Sequence, residues 1–323
     1  MNGRMKKVLA IVLMLVMITG TAVRAAADVV PLGLDMKIHG VPPKEELWTE
    51  HSTRQPDEPV LEYEDESIHA ALYIDHVWAS GIGKTECHWV VVEIKDPSQI
   101  RTTLSFESYD DMKPAKSEEM FRYVNAVCAI NDDYVKMSNY KGYVMRQGVF
   151  YCDTLDEFEE IKRQDVLIID DQGDFSTVLR ATSAAMQEHL AEMEKQGRKP
   201  VNIFTFGPTL VIDGVAQELK WENSIHSVHV PCARAAIAQV GPLKYMLVAI
   251  DGEASEKTGM KAFEVSNFIL SKFPDCKIAY NLDGGGSSKL HVRNKLVNHA
   301  RGRREIGGLI YFASAASGEG TQE

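Results

Sequence analysis

Short apolar runs of strand length, separated by turn residues, most constrain the fold of this 323-residue chain. They recur from Ile68 to the run at 309–312, and several are joined by short turns. The runs at 143–145 and 149–152, for example, flank Gln147-Gly148 as the strands of a hairpin would. Because such runs outnumber helical segments, we expect an α+β fold with a mixed, largely antiparallel sheet, packed helices and a single domain.

Three segments have the apolar spacing of helices instead of strands. The predicted helices are Ser117–Tyr123, 176–196 and 261–272. Gly197, followed by Pro200, is expected to end the longest of them. Near the carboxyl end, the apolar runs at 290–292 and 309–312 are predicted to pair with one another as strands.

Residues 1–27 have the pattern of an export signal. Basic residues precede a short apolar run, and Ala25-Ala26-Ala27 suits signal-peptidase cleavage before Asp28. The run is shorter than the ~20 residues that a membrane-spanning helix needs. We therefore expect a secreted or extracytoplasmic protein of the cell envelope with no stable membrane span after cleavage; an uncleaved anchor is the alternative. Residues 28–65, rich in Pro, Glu and Asp, predict a linker or stalk, 66–316 a folded domain and 317–323 a flexible tail.

The charge balance bears on the kind of partner. The chain has a formal net charge of −11, and without the four basic residues of the predicted signal it has −15. An acidic surface repels phosphate backbones, which argues against nucleic acid as a partner. The five cysteines include no C-x-x-C pair, so a zinc ribbon or a thioredoxin motif is excluded, and no disulfide is assigned.

The segment Asn281 to Ser288 contains three consecutive glycines directly after an apolar strand. Glycines allow positive φ and bring bare N–H groups close to a ligand, and the two serines that follow add hydroxyl groups. The segment is therefore a candidate cradle for phosphate, with Asp283 placed for acid–base or nucleophilic chemistry. Lys289 stands where a nucleophile elbow needs glycine, and no Gly-Lys-Ser/Thr follows, which excludes a P-loop. A tight turn that packs against a neighbouring strand is the structural alternative.

Three further polar stretches lie at the ends of apolar strands. They are Asp251-Gly252, Arg234 at the start of a strand, and Asn131-Asp132-Asp133. Together with the glycine segment, they resemble the phosphodiester glycosidase family, most closely its secreted bacterial members. The resemblance spans roughly 66–314, and Asn281 to Ser288 is its most specific block.

The resemblance implies a single catalytic domain that hydrolyses the bond between a sugar anomeric carbon and a phosphodiester. It implies catalytic roles for Asp283, Asp251 and Arg234, and the sequence leaves open which aspartate is nucleophile or base. The implied substrate-binding residues are Asn131, Asp133, Gly284, Gly285, Gly286, Ser287, Ser288, Asn298 and Arg304. The expected partner is a phosphorylated glycan or a sugar-1-phosphodiester. No cofactor or metal is required; Ca²⁺ bound by clustered carboxylates is the alternative.

The chain also departs from the bacterial motifs that it resembles. Asp132 stands where those motifs have glycine, and Gly308 stands where they have aspartate. Glu253 replaces an arginine. These departures bear most on the identity of the substrate. Glu253 and Gly308 motivate one alternative function, a non-catalytic glycan-binding protein of the envelope. A metal-dependent phosphodiesterase that attacks phosphorus is the other alternative. The metal-like spacing of His226, His229 and Cys232 lies on an extended segment whose alternate residues face opposite ways, which disfavours a zinc site there.

Overall fold

The computed structural model describes residues 29–52, 57–105, 113–133, 142–155, 164–219, 228–299 and 304–317. The predicted signal, 1–27, His226 and nearly all of the predicted tail lie outside these ranges. No helix within the described ranges is long and apolar enough to span a membrane.

Strands make up most of the regular structure. In chain order they are β1 (Trp48–Glu50), β2 (Leu61–Glu64), β3 (Ile68–Trp78), β4 (Lys84–Ile94), β5 (Ile100–Leu104), β6 (Ala126–Asn131), β7 (Tyr143–Arg146), β8 (Val149–Asp153), β9 (Asp165–Asp170), β10 (Phe175–Val178), β11 (Pro200–Phe206), β12 (Thr209–Ile212), β13 (Val215–Ala216), β14 (Arg234–Gly241), β15 (Lys244–Ile250), β16 (Ile278–Leu282), β17 (Leu290–Val292), β18 (Lys295–Leu296) and β19 (Gly308–Ala313). The α-helices in the described residues are α1 (Ser117–Tyr123), α2 (Ser183–Lys195) and α3 (Ala262–Lys272).

The strands form three sheets. The largest has the order β1-β2-β3-β4-β15-β14-β16-β12-β13, the second β10-β9-β11-β7-β8 and the third β18-β17-β6-β19-β5. Every strand pair in the described part of the chain is antiparallel. The antiparallel character is thus confirmed, whereas the expected mixed sheet and α+β balance are corrected to a mostly β fold with few helices. Short connections such as that between β3 and β4 favour antiparallel neighbours.

The main core lies between the largest sheet and the two smaller ones. Apolar side chains from one face of β4 and β15 form one core cluster with side chains from β6, β9 and β19; its members include Val90, Leu247, Ile130 and Ile310. The helices cover the outer faces: α3 packs on the largest sheet, α2 on the second and α1 on the third. The central strands of each sheet are therefore buried on both faces, which explains the nearly continuous apolar runs in β9 and β15.

The predicted helices agree with the structure in two cases and differ in the third. Helix α1 has the predicted bounds, and α3 begins one residue later than predicted. The helix predicted at 176–196 begins only at Ser183, because 175–178 form β10 beside β9. The hydroxyl of Thr182 accepts a hydrogen bond from the Ala185 N–H at 3.2 Å, which is the N-cap that starts α2.

The expected pairing between the runs at 290–292 and 309–312 is wrong. Strand β6 lies between them and pairs with β17 on one side and β19 on the other. The apolar run of β6 has no polar face, and a strand buried in this way suits the centre of a sheet.

The segment predicted to be a linker carries two strands of the largest sheet. Strands β1 and β2 extend that sheet beyond β3, and Tyr63 is almost fully buried. The ring of Trp48 lies 4.8 Å from the ring of Tyr63. The high acidic and proline content concealed these few apolar residues, which alternate with charged ones and so supply one buried face.

Candidate functional site

Several predicted site residues meet at one edge of the largest sheet. Strand β14 begins at Arg234, and its neighbours β15 and β16 end there, with Arg234 opposite Ile250 and Ala235 opposite Leu282. Asp251 and Asp283 directly follow these two strand ends. They lie on opposite sides of β14, two strand spacings or about 10 Å apart along the sheet.

The glycine segment crosses from the largest sheet to the third sheet, where it continues into β17. Gly285 has a φ of 57° and donates its N–H to the Ala233 carbonyl at 2.9 Å. A Cβ on Gly284 would lie 2.8 Å from the same carbonyl oxygen. The Ser288 hydroxyl donates to the Arg234 carbonyl at 2.9 Å. The glycines thus allow the loop to lie directly on the start of β14, which fixes the position of Asp283.

Two buried asparagines hold the ends of this loop. The Asn131 amide donates to the Asp283 carbonyl at 2.8 Å and accepts from the Lys289 N–H at 3.0 Å. The Asn298 amide donates to the Ser288 carbonyl at 3.0 Å and accepts from the Leu290 N–H at 2.8 Å. Both side chains therefore position the loop backbone, and their predicted contact with a substrate stays a prediction.

Asp283 and Arg304 form the charged centre of the loop. A guanidinium nitrogen of Arg304 lies 3.9 Å from a carboxylate oxygen of Asp283 and 3.3 Å from the Ser287 hydroxyl. Burial raises the pKa of Asp283 to about 6, against the opposing effects of the Ser287 hydroxyl and the Arg304 charge. A carboxyl group with such a pKa can exchange a proton near neutral pH, which suits general acid–base chemistry.

A buried ion-pair cluster lies next to the glycine loop. The Arg146 guanidinium lies 2.5 Å from Asp133 Oδ1 and 3.4 Å from Asp132 Oδ2, and all three side chains are fully buried. Asp133 also accepts the Thr205 N–H at 3.1 Å. Burial and the neighbouring Asp133 charge raise the pKa of Asp132 well above its usual range. In these contacts Asp133, predicted to bind substrate, is engaged with Arg146 and the β11 backbone.

Asp251 lies in a second group of polar side chains. Its carboxylate accepts a hydrogen bond from the backbone N–H of His299 at 2.8 Å. The other carboxylate oxygen lies 3.5 Å from His299 Nδ1 and 4.0 Å from His88 Nδ1. His88 Nε2 in turn lies 3.0 Å from a Glu86 carboxylate oxygen. Burial lowers the pKa of His88, which favours the neutral imidazole.

The model of the protein family described as phosphodiester glycosidase matches residues 124–313, which is more than half of the chain. The chain belongs to the phosphodiester glycosidase family.

A solved structure of the family has a similar fold. It is the catalytic domain of zebrafish N-acetylglucosamine-1-phosphodiester α-N-acetylglucosaminidase, auto-inhibited by its pro-peptide. The TM-score is 0.59 at 15% identity, over 83% of this chain and 87% of that one. A hypothetical protein from Synechocystis gives a TM-score of 0.49 at 12% identity, over 76% of this chain and 62% of that one.

The sequence is also similar to a curated bacterial protein. It is 33% identical over 101 residues to the SPbeta prophage-derived uncharacterized protein YomE of Bacillus subtilis strain 168. The match takes in 30% of this chain and 15% of that protein.

The side chain of Arg234 lies on the opposite face of the largest sheet from Asp251, another predicted site residue. Arg234 alternates with Ala236 and Ala238, which face α3, and its guanidinium donates to the Met260 carbonyl at 3.0 Å and the Val230 carbonyl at 2.8 Å. Asp251 follows Ala249, which faces the main core on the opposite side of the sheet. The backbone of Arg234 thus supports the glycine loop, while its side chain contacts carbonyls on the other face.

Sequence reasoning missed other basic residues near the loop. A cleft of about 350 Å³ beside Arg304 is lined by Lys116, Ser117, Glu118, Glu119, Arg122, Lys289 and Glu305. Arg122 lies in the last turn of α1 and Lys116 directly precedes that helix, whose contact with β6 and β19 brings both residues to this edge. Arg146 was missed as well; an arginine inside an otherwise apolar hairpin strand was its one sequence signal.

Proposed function

We propose that this protein hydrolyses the bond between a sugar anomeric carbon and a phosphodiester on an extracytoplasmic glycan. The observation that carries the proposal is the Asp283 carboxyl, with its pKa raised to about 6, held beside Arg304 on the glycine loop of a phosphodiester glycosidase family member. The zebrafish relative is named for removing N-acetylglucosamine from a 1-phosphodiester, which gives the substrate class to test first.

The chemistry of the substrate fits this arrangement. A phosphodiester leaves as a weak base, so its protonation is less urgent than in an ordinary glycosidase with two paired carboxyl groups. The reaction needs positive charge and N–H groups around the phosphate, and a carboxylate near the anomeric carbon. Arg304, beside Asp283, would supply the positive charge. The neighbouring cleft adds the cations Lys116, Arg122 and Lys289, together with the carboxylates of Glu118, Glu119 and Glu305.

Asp283 would act on the anomeric carbon or on the attacking water. Its carboxylate would stabilise the oxocarbenium-like transition state or accept a proton from water, and the Asn131 contact to its carbonyl would keep it in place. Asp251, about two strand spacings away, is the second carboxylate at this edge. Arg234 would act through the backbone that carries the loop.

A pair of matched variants tests this role of Asp283. Asp283→Asn should lower kcat for a sugar-1-phosphodiester such as UDP-N-acetylglucosamine by at least ~100-fold, the scale of general acid–base catalysis. Asp213→Asn, at an exposed turn with a positive φ that asparagine also adopts, should leave kcat unchanged. Turnover by Asp283→Asn at the wild-type rate would exclude a catalytic role for this carboxyl group.

A second candidate reaction is attack of a metal-activated water on phosphorus. The group formed by Glu86, His88, Asp251 and His299 favours it, because such side chains can hold a metal ion. The two reactions cleave different bonds, so the position of an oxygen label from the solvent separates them. A glycan-binding protein without activity would cleave neither bond.

We also propose that the protein works outside the cytoplasm, on the basis of the signal pattern at 1–27. Amino-terminal sequencing of the protein recovered from the producing cells should then begin at Asp28. Recovery of an intact Met1 from the cytoplasmic fraction would contradict export.

A further inference from the structure

We propose that Glu86, His88, Asp251 and His299 form a binding site for a divalent transition-metal ion, with Zn²⁺ the best match. One possible ligand atom from each of the four residues lies within 4.8 Å of the others. The proposal concerns ion binding and does not depend on the proposed glycosidase activity.

The fold places these four residues together from separate parts of the chain. Glu86 and His88 are two residues apart on β4 and therefore share a face. His88 lies opposite Ala249 on β15, and Asp251, two residues further, is on the same side of the sheet. His299 approaches from the third sheet, just after Asn298, and its backbone N–H binds the Asp251 carboxylate at 2.8 Å.

His88 supplies the observation that points to a ligand. Its side chain is 1% exposed, and its Nδ1 has no hydrogen-bond partner within the described part of the chain. Asp251 Oδ2 lies 4.0 Å from this nitrogen, which is too far for a hydrogen bond. A buried nitrogen without a partner is costly, and a metal ion between His88 and Asp251 would satisfy it.

The other nitrogen of His88 fixes the tautomer that metal binding needs. Nε2 lies 3.0 Å from the Glu86 carboxylate, so it carries the proton and donates it there. Nδ1 then presents its lone pair towards Asp251. Metal-binding histidines commonly donate their second N–H to a carboxylate in this way, so Glu86 would orient His88 while the other three residues bind the ion.

The distances between the candidate ligand atoms, and the chemical types of these atoms, favour Zn²⁺. His299 Nδ1 and His88 Nδ1 lie 3.5 and 4.0 Å from the same Asp251 oxygen, close to the ~3.3 Å between ligand atoms around a tetrahedral Zn²⁺ with bonds of ~2.0 Å. His299 is 80% exposed and can adjust its ring. Two imidazoles and a carboxylate suit Zn²⁺, whereas Ca²⁺ takes oxygen ligands. Three protein ligands would leave a fourth position for water or an anionic oxygen.

Metal titration of the whole protein tests the site. After EDTA treatment and dialysis, we expect Zn²⁺ to bind in calorimetry, and Co²⁺ to give the visible absorption bands of a tetrahedral site. His299→Ala should weaken Zn²⁺ binding at least tenfold, since it removes one of three ligands from an exposed position. His69→Ala is the matched control, because His69 is also partly exposed beside a carboxylate, 3.2 Å from Glu62.

The same titration can overturn the proposal. Unchanged Zn²⁺ affinity and Co²⁺ spectrum in both His299→Ala and Asp251→Asn, with circular dichroism showing folded protein, would place any bound ion elsewhere. No Zn²⁺ binding by the wild-type protein would exclude the site outright. Displacement of Co²⁺ by equimolar Ca²⁺ would contradict the assignment to a transition metal.

Discussion

Asp132 occupies the space beside Gly308: a carboxylate oxygen of Asp132 lies well inside van der Waals contact distance of the position that the Cβ of any side chain at residue 308 would take. Gly308 is the first residue of β19, and Asp132 follows β6, the strand beside it. The bacterial motifs that this chain resembles have the reverse pair, glycine at the first position and aspartate at the second. An exchange of the two residue types would therefore be expected to bring a carboxylate to the same buried position from the neighbouring strand.

The exchange predicts strong coupling between the two positions. Gly308→Asp should destabilise the protein by about 1–3 kcal/mol, because its side chain would collide with Asp132. Asp132→Gly/Gly308→Asp should recover a good part of that loss, although the Thr103 carbonyl, 2.6 Å from the added Cβ, keeps recovery incomplete. Urea unfolding of the wild type, both single variants and the double variant measures this coupling. Strictly additive effects would show that the two residues do not share the position.

Arg146 is predicted to stabilise the two buried aspartates, Asp132 and Asp133, by providing the positive charge beside them. Arg146→Met would leave Asp132 and Asp133 buried without their cation, and should cost about 3–5 kcal/mol of unfolding free energy. Arg198→Met is the matched control, since Arg198 also contacts two aspartates but is partly exposed, and should cost under ~1 kcal/mol. Urea unfolding measures both losses. Equal losses of unfolding free energy in the two variants would show that burial does not make the Arg146 ion pairs more important for stability.

The pH dependence of activity follows from Asp283. If the ionised carboxylate is the active form, kcat/KM should rise with pH and level off above about 6. Arg304→Gln removes a charge that lowers the pKa of Asp283, so the rise should move to higher pH in that variant. The pH profiles of both proteins test this, independently of any loss of phosphate binding. An unshifted profile in Arg304→Gln would assign the titration to another group.

The raised pKa of Asp283 should also make the stability of the protein depend on pH. The folded-state pKa of Asp283 is raised from 3.8 to about 6, so the folded protein binds more protons than the unfolded chain between these values. This group therefore lowers stability as pH rises from about 4 to 7, by about 3 kcal/mol in total. Urea unfolding should show Asp283→Asn gaining stability relative to wild type over that range, while Asp213→Asn follows wild type. If the difference in unfolding free energy between Asp283→Asn and wild type does not change with pH, the pKa of Asp283 in the wild-type protein is not raised.

Much of the local structure could be predicted from the sequence because it depends on local chemistry. The β7–β8 hairpin, α1 and α3 follow from turn residues and apolar periodicity, and the glycine loop follows from its composition. The start of α2 was missed because the strand β10 forms only beside β9. The position of β6 between β17 and β19 also depends on long-range pairing, which periodicity does not specify.

The supporting parts of the site could not be predicted for the same reason. Arg146 and Asp133 meet only once the second and third sheets pack together, and His88 meets His299 only across two sheets. The contact of Arg234 with backbone carbonyls depends on which face of β14 it occupies. Glu86-x-His88 on one strand was a local signal for the metal-binding group, but its other members are distant in sequence.

Hydrolysis of a sugar-1-phosphodiester in ¹⁸O-labelled water tests the central claim most directly. The proposed reaction cleaves the bond between the anomeric carbon and oxygen, so mass spectrometry should find the label on the released sugar and none on the phosphate. Asp283→Asn, assayed in parallel, should release neither labelled product at a rate near wild type. Label on the phosphate would show attack at phosphorus and contradict the glycosidase assignment.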